Sequence, residues 1–462
     1  MEEEFLINQE SANQILLSPD AVEFLEDGLR ETSGQEVNIN TTAEAQQAVT
    51  QLLNSFESIE LEPPTEGNDK RFGTEGDDEI FALAGNDSIV GDPERSNFGN
   101  DTIDGGLGED RLLGRGGNDS LIGGDGNDSL YGDVLPGLFD VDDAARGNDT
   151  LEGGDGNDSL SGDAGEDVIF GGADNDSLFG ETDNDTLTGD RGNDNLFGGA
   201  GDDSLIGGID DDTLKGESGN DTLEDGRGND NLDGGAGDDS LSGGVGNDEL
   251  RGGDDNDTLR SGDGEDNLFG DKGNDRLEAG LGNDTLYGGQ GDDLVSGSLG
   301  NDVLYGDLFG IDAGGAGRDS LFGGDGNDEL FGGIGNDIVN GQNGDDRILG
   351  VDPSPSANRE FGGNTVDTLT GESGSDTFVL AAGNNVFYAE VDNSDYGLIT
   401  DFELGTDTIE LIGSSEDYSF GAFSEDPSGL GIFSVQENEL IGVLSNISED
   451  SIADVEASIE FV

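Results

Sequence analysis

A nine-residue unit recurs through most of this chain and leaves few folds open to it. It is plainest at Gly123-Gly124-Asp125-Gly126-Asn127-Asp128-Ser129-Leu130-Tyr131. We number the unit so that its glycines hold positions 1, 2 and 4, the aspartate position 6 and the apolar residue position 8. From Asp149 to Asp302 the aspartate returns every nine residues without a slip, giving 18 in phase, too many for chance. Glycine permits left-handed backbone and close chain approach, so positions 1–6 read as a turn and positions 7–9 as a short strand. Turns that end in a carboxylate and stack at a fixed period form a ladder of oxygen ligands for a hard cation. A flexible, carbonyl-rich loop suits Ca2+ better than Mg2+, which demands tight octahedral geometry and keeps its water.

Aligned on the aspartate, the units fall into blocks. The first holds Asp69, Asp78 and Asp87, and the second Asp101, Asp110, Asp119 and Asp128. The third holds Asp149, Asp158, Asp167, Asp176, Asp185, Asp194, Asp203, Asp212, Asp221, Asp230, Asp239, Asp248, Asp257, Asp266, Asp275, Asp284, Asp293 and Asp302. The fourth holds Asp319, Asp328, Asp337 and Asp346, and two last units carry Asp367 and Asp376. Position 8 is apolar in 30 of these 31 units, which argues for a packed interior rather than disordered low complexity. The exception, Arg71 in the first unit, suits the open end of a repeat array. In four units Asp174, Asp183, Asp210 and Asp255 replace the position-4 glycine, and Asp tolerates left-handed backbone better than most residues. Insertions follow Asp87, Asp128, Asp302 and Asp346, all after odd-numbered units. If two units make one coil, the four loops share one edge.

Composition narrows the function. Asp and Glu number 108 against 17 Lys and Arg, a formal charge of -91 that repels nucleic acid and anionic membranes and favours cations. The chain has no His and no Cys, which leaves it without a structural zinc site or a His-based triad. There is no Gly-x-Ser-x-Gly elbow, no Lys-Ser/Thr ending to a phosphate loop and no EF-hand spacing. Carboxylate-only catalysis stays formally open. No apolar run approaches a membrane span, and Met1-Glu2-Glu3-Glu4-Phe5 is acidic where a signal peptide is basic.

Residues 1–66 lack the repeat. Ile15 to Leu25 and Thr42 to Phe56 have helix-like apolar spacing, with Ser18-Pro19-Asp20 as a helix start, so this is a partly helical leader or cap, or else a tail. Residues 67–378 are the repeat region, and 379–462 read as a β-rich C-terminal domain with short apolar runs such as Thr408–Ile412 and Leu440–Leu444. One apolar residue in nine is too little to offset the backbone entropy of ordering a unit, and clustered carboxylates add repulsion. The repeat is expected to fold only when the cation binds.

The unit resembles the RTX (repeats-in-toxin) hemolysin-type calcium-binding nonapeptide, over about two thirds of the chain. The resemblance implies an all-β, right-handed parallel β-roll of 18-residue coils, in which neighbouring turns on one edge share Ca2+. The thirty-one in-phase aspartates, Asp69 through Asp376, are its expected metal ligands. Ser375-Asp376-Thr377-Phe378-Val379-Leu380 and Gly405-Thr406-Asp407-Thr408-Ile409 are similar to the region after the repeats in secreted members, and the tail Ile459-Glu460-Phe461-Val462 looks like an uncleaved type I secretion signal, or is an ordinary terminal strand or helix. These features imply an extracellular, non-catalytic calcium-binding protein, with the type I secretion machinery as partner. Cell-surface or matrix components are further expected partners, held through the loop edge. The alternative is an RTX exoprotein with enzymatic or cytolytic activity.

Overall fold

A computed structural model of the chain describes residues 64–462 except 75, 93–98, 134–146, 308–316, 351–365, 383–384, 387–395, 423–428, 436–438 and 446. The expected N-terminal helices and the tips of the four insertions lie outside the described residues. The protein divides into two compact units, residues 1–209 and 210–462.

In the first unit, successive strands alternate between two parallel sheets. Lys70–Phe72, Ser88–Val90, Arg111–Leu113, Ser129–Tyr131, Ser159–Ala164, Ser177–Thr182 and Asn195–Ala200 pair in that order. Glu79–Phe81, Thr102–Leu107, Ser120–Asp125, Thr150–Asp155, Val168–Ala173, Thr186–Arg191 and Ser204–Ile209 form the other sheet. Two units therefore make one coil of a parallel β-roll. The pairing stacks like on like: Leu121 on Leu151, Leu151 on Ile169 and Ile169 on Leu187. These position-8 side chains are fully buried and form the core, each removing its apolar surface from water.

The strands are longer than the three residues expected. Val168–Ala173 runs from position 7 through position 3 of the next unit. Its ladder pairs positions 7–9, passes over position 1, and resumes at Gly172 and Ala173. Left-handed backbone at position 2 bends the chain while the sheet continues, so the turn proper is only positions 4–6. Glycine fills position 2 in 15 of the 31 units, and Arg115, Asp163, Glu181 and Asp190 hold it here at φ 71–92°.

The second unit continues the same scheme from Thr213–Ser218 and Thr222–Glu224. The sheets do not end with the last nonapeptide. Tyr396–Ile399 adds in parallel to Val366–Ser373, and Thr408–Leu411 to Thr377–Val379. Glu439–Leu444 then pairs with Tyr396–Ile399, and Leu430–Ser434 and Tyr418–Ala422 follow antiparallel. A short helix, Ile452–Glu456, precedes the last strand Ile459–Phe461, which pairs with Thr408–Leu411. At position 9, rings form a file: Phe269 on Tyr287 at 5.1 Å, Tyr287 on Tyr305 at 4.8 Å, and Tyr305 on Phe331 at 4.7 Å. Among the described residues no helix is long and apolar enough to cross a membrane.

Candidate metal centre

Many position-6 aspartates have one oxygen committed and one left over. In the first unit the N–H of Asp101 donates to Asp119 Oδ1 at 2.8 Å, that of Asp110 to Asp128 at 2.7 Å, and that of Asp158 to Asp176 at 2.8 Å. Each aspartate thus grips the carboxylate one coil ahead. The rungs cross the insertions unbroken, as from Asp119 to Asp149 and Asp128 to Asp158, both at 2.7 Å over 30 residues. The same link runs through the second unit, for example Asp248 to Asp266, Asp293 to Asp319 and Asp337 to Asp367. The other oxygen, Oδ2, is buried without a hydrogen-bond partner at Asp87, Asp101, Asp110, Asp119, Asp128, Asp149, Asp158, Asp167, Asp176 and Asp185. In the second unit this holds at Asp239, Asp248, Asp257, Asp275, Asp293, Asp302, Asp319, Asp328, Asp337 and Asp346. A buried carboxylate oxygen without a partner costs far too much to recur at this frequency unless something positive meets it.

The glycine at position 1 makes the room. A Cβ placed on Gly288 would stand 2.7 Å from Asp293 Oδ2 and 2.5 Å from the carbonyl oxygen of Gly306 in the next coil. One on Gly171 would stand 2.5 Å from Asp176 Oδ2 and 3.0 Å from Gly189 O. The missing methyl, a carboxylate oxygen and a neighbouring carbonyl therefore converge on one point. These position-1 glycines have no positive φ, so they are needed for space rather than conformation. Oxygen donors only, anionic and carbonyl, from two adjacent coils are the donor set of a hard divalent cation such as Ca2+.

Burial raises these carboxyls, and like charges along the ladder raise them further. Asp119 is pushed up to about 9 by burial, with repulsion from Asp149 and Asp101 adding to it and the Asp101 N–H opposing it. Asp293 also reaches about 9, Asp319 about 8, and Asp328 about 7, burial being the largest cause in each. Without a counter-charge the turns hold protons in place of ions.

Not every expected ligand meets this geometry. Asp69 and Asp78, at the first coil, accept hydrogen bonds from Thr65 and Thr74 instead. The Thr65 backbone N–H holds the Asp69 carboxyl below its usual range. Ala82, Ser261 and Ala279 occupy position 1 in the turns of Asp87, Asp266 and Asp284, so a side chain fills the room a cation would need. Ser261 Oγ donates to Ala279 O at 2.9 Å, using a carbonyl that would otherwise serve as a ligand.

Three features were not anticipated from the sequence. Asp407 is a further rung: it is 5% exposed and its Oδ1 accepts the N–H of Asp376 at 3.1 Å. Its signal was Thr406-Asp407-Thr408-Ile409, which repeats the position 5–8 pattern, but 31 residues separate it from Asp376. Position 5 is a second ladder rather than a spacer, running the opposite way. Asn118 N–H donates back to Asn100 Oδ1 at 3.0 Å, Asn175 to Asn157 at 3.1 Å and Asn274 to Asn256 at 2.9 Å. Finally, Asp92 and Asp133 stand at position 2 where insertions begin. Asp92 Oδ2 accepts the N–H of Gly99 at 2.8 Å and Asp133 Oδ2 that of Gly147 at 3.2 Å, closing the base of each insertion.

The strands that lead into the insertions, Ser88–Val90 and Ser129–Tyr131 in the first unit, belong to one sheet, and those that follow, Thr102–Leu107 and Thr150–Asp155, to the other. In the second unit Val303–Asp307 and Arg347–Leu349 likewise share a sheet, and Ser320–Asp325 and Val366–Ser373 share the opposite one.

The family model of the RTX calcium-binding nonapeptide repeat matches residues 65–93, 96–130, 143–178, 179–214, 215–250, 242–277, 278–309, 313–348 and 361–394, well over half of the chain. Comparison with the curated proteins gives no match.

Proposed function

The chain belongs to the RTX calcium-binding nonapeptide repeat family, and from that premise we propose that it is a secreted, non-catalytic calcium-binding protein whose roll folds on meeting Ca2+ outside the cell. The observation that carries the reading is the file of buried Oδ2 atoms without hydrogen-bond partners beside position-1 glycines. We assign the ions to the room between turns, held by Asp Oδ2 and the position-1 carbonyl of the next coil. Cytosolic calcium is scarce and extracellular calcium abundant, so sites of roughly 10⁻⁴–10⁻³ M would stay empty before export and fill after it. A carboxylate-lined chain kept unfolded inside is suited to export through a type I channel, with residues 379–462 carrying the signal. The absence of His and Cys from the whole sequence favours a scaffold over an enzyme. The insertions, entering from one sheet within each unit, make that edge the contact face of a surface, adhesive or matrix component.

Circular dichroism in chelator and then in millimolar Ca2+ tests the folding step, with β-structure expected only with the ion. Equal β-content in both would end the proposal. Fractionation of a producing culture tests the location. The protein belongs in the medium or on the cell surface, lost from both when residues 403–462 are deleted, and steady retention of the intact chain in the cytosol would contradict export.

A further inference from the structure

One turn in the second unit departs from all its neighbours. At position 1, where its coil neighbour has Gly243, stands Asp225. The effect on the backbone is local. Ser240–Val245 and Thr258–Asp263 run six residues through this position, but Thr222–Glu224 stops one residue short of Asp225. The Gly226 N–H turns to Asp225 Oδ1 at 2.7 Å, and sheet pairing resumes only at Arg227 opposite Val245. A β-carbon alone does not cause this, since Ser261 and Ala279 occupy the same position within unbroken strands. The carboxylate of Asp225 lies inward, and the residue is 6% exposed.

That carboxylate joins two others. One oxygen from each of Asp212, Asp225 and Asp230 lies within 4.8 Å of the other two, the one such convergence among the described residues. Asp212 and Asp230 are each 2% exposed. Asp230 supplies an independent pointer to a ligand. Its Oδ1 accepts the Asp212 N–H at 2.9 Å, and its Oδ2 is buried with no hydrogen-bond partner. An acidic cluster at the surface could be screened by water; a cluster this buried cannot.

We propose that Asp212, Asp225 and Asp230 form a discrete calcium site of higher charge than the rest of the ladder, which loads first and keeps its ion at calcium concentrations that empty the repeats. The inference rests on the repeats binding calcium. Affinity in oxygen-ligand sites is tuned by the number of charged ligands. A neighbouring turn offers Asp248 Oδ2 beside Gly243, whereas this one replaces the empty room with an anionic oxygen and so meets a divalent ion with three carboxylates. Distorting one strand is then the local cost of an added ligand. The site lies in the first coils of the second unit, where an early-bound ion can fix two adjacent coils and template the one that follows.

Equilibrium dialysis of the full chain against chelator-buffered 45Ca2+ reads this directly. The wild type should bind in two phases, with one ion per chain at free calcium at least tenfold below the bulk phase. Asp225→Gly restores the repeat residue. It should abolish the tight phase while leaving the total number of ions unchanged. Asp225→Asn, which preserves shape and removes one charge, should weaken the tight phase at least tenfold. A single phase in the wild type, or a tight phase that survives Asp225→Gly, would overturn the proposal while leaving the repeat reading intact. Absence of calcium binding at any concentration would instead remove the premise for both.

Discussion

The room left by position 1 is where the proposed ion and any added methyl compete, and that makes it the sharpest place to perturb. Consider alanine at Gly216, Gly234, Gly252, Gly270 and Gly288, five successive turns on one edge of the second unit. None of these glycines has a positive φ, so alanine imposes no backbone strain. Ala279 already sits at the equivalent place in an unbroken strand. Without calcium the gain of about 0.4–1 kcal/mol per site from restricting the unfolded chain is opposed by a steric cost, because the methyl would stand 2.3–2.8 Å from the next carbonyl oxygen at Gly216, Gly234, Gly270 and Gly288. With calcium the loss of the sites adds to that cost. Each new methyl lies against an Asp Oδ2 and, at Gly216, Gly234, Gly270 and Gly288, also against the next carbonyl. If the sites have dissociation constants of roughly 10⁻⁴–10⁻³ M, each contributes about 1.4–2.7 kcal/mol at about 10 mM free Ca2+. Five lost sites therefore remove about 7–14 kcal/mol of calcium-dependent stabilisation. Equilibrium dialysis should count five fewer ions, and the calcium midpoint of β-structure by circular dichroism should rise. An unchanged ion count in a folded variant would show that the ions lie elsewhere.

Other expectations follow from the same geometry. The pair Ser261→Gly and Ala279→Gly should open two turns and add two ions per chain, which the same dialysis would detect; an unchanged count would mean those side chains do not block binding. Acid should act oppositely on the two forms. The folded carboxyls of Asp119 and Asp293 are raised to about 9 and that of Asp319 to about 8, so they bind protons more tightly folded than unfolded. In chelator their contribution to stability is complete below about pH 4, the unfolded value, and is lost as pH rises through 8 to 9. Residual β-structure in chelator should therefore appear near pH 4 and vanish by pH 9, while calcium binding should weaken on acidification and release protons, measurable by pH-stat titration. Leu187→Ala, which empties a fully buried core position, should cost about 2–5 kcal/mol. Because each coil touches only its neighbours, hydrogen exchange should quicken chiefly in the adjacent strands, and a uniform loss of protection would argue against that picture.

Much of the fold was legible because its determinants are local. A period of nine carries the turn, the inward Leu and the ligand in one short window, so Leu160 or Asp167 could be assigned without knowing what lies beside it. What escaped depends on the neighbouring coil. Asn100 and Asn118 look like spacers in one dimension and become a ladder only when stacked. Asp407 was hidden by the long segment that separates it from Asp376. The extension of both sheets beyond Val379 was missed because no nonapeptide leads into Tyr396–Ile399 and only Gly405 of the repeat's glycines precedes Thr408–Leu411. The exceptions at Ala82, Asp225, Ser261 and Ala279 were visible letter by letter, but their meaning waits on knowing that position 1 faces the carboxylate. The four Asp residues at position 4 do take left-handed backbone, with φ of 77–84°, as their side chains permit.

The file of stacked rings gives the molecule an optical consequence. The chain has no Trp and only six Tyr, so the tyrosine part of its near-ultraviolet signal comes from few places. Two of those six, Tyr287 and Tyr305, lie face to face at 4.8 Å between Phe269 and Phe331. That separation is the rise from one coil to the next. Their exciton coupling is therefore a ruler engraved on adjacent strands, sensitive to fractions of an ångström in coil spacing. Far-ultraviolet bands would average over every coil; this pair would announce when its own stretch has wound.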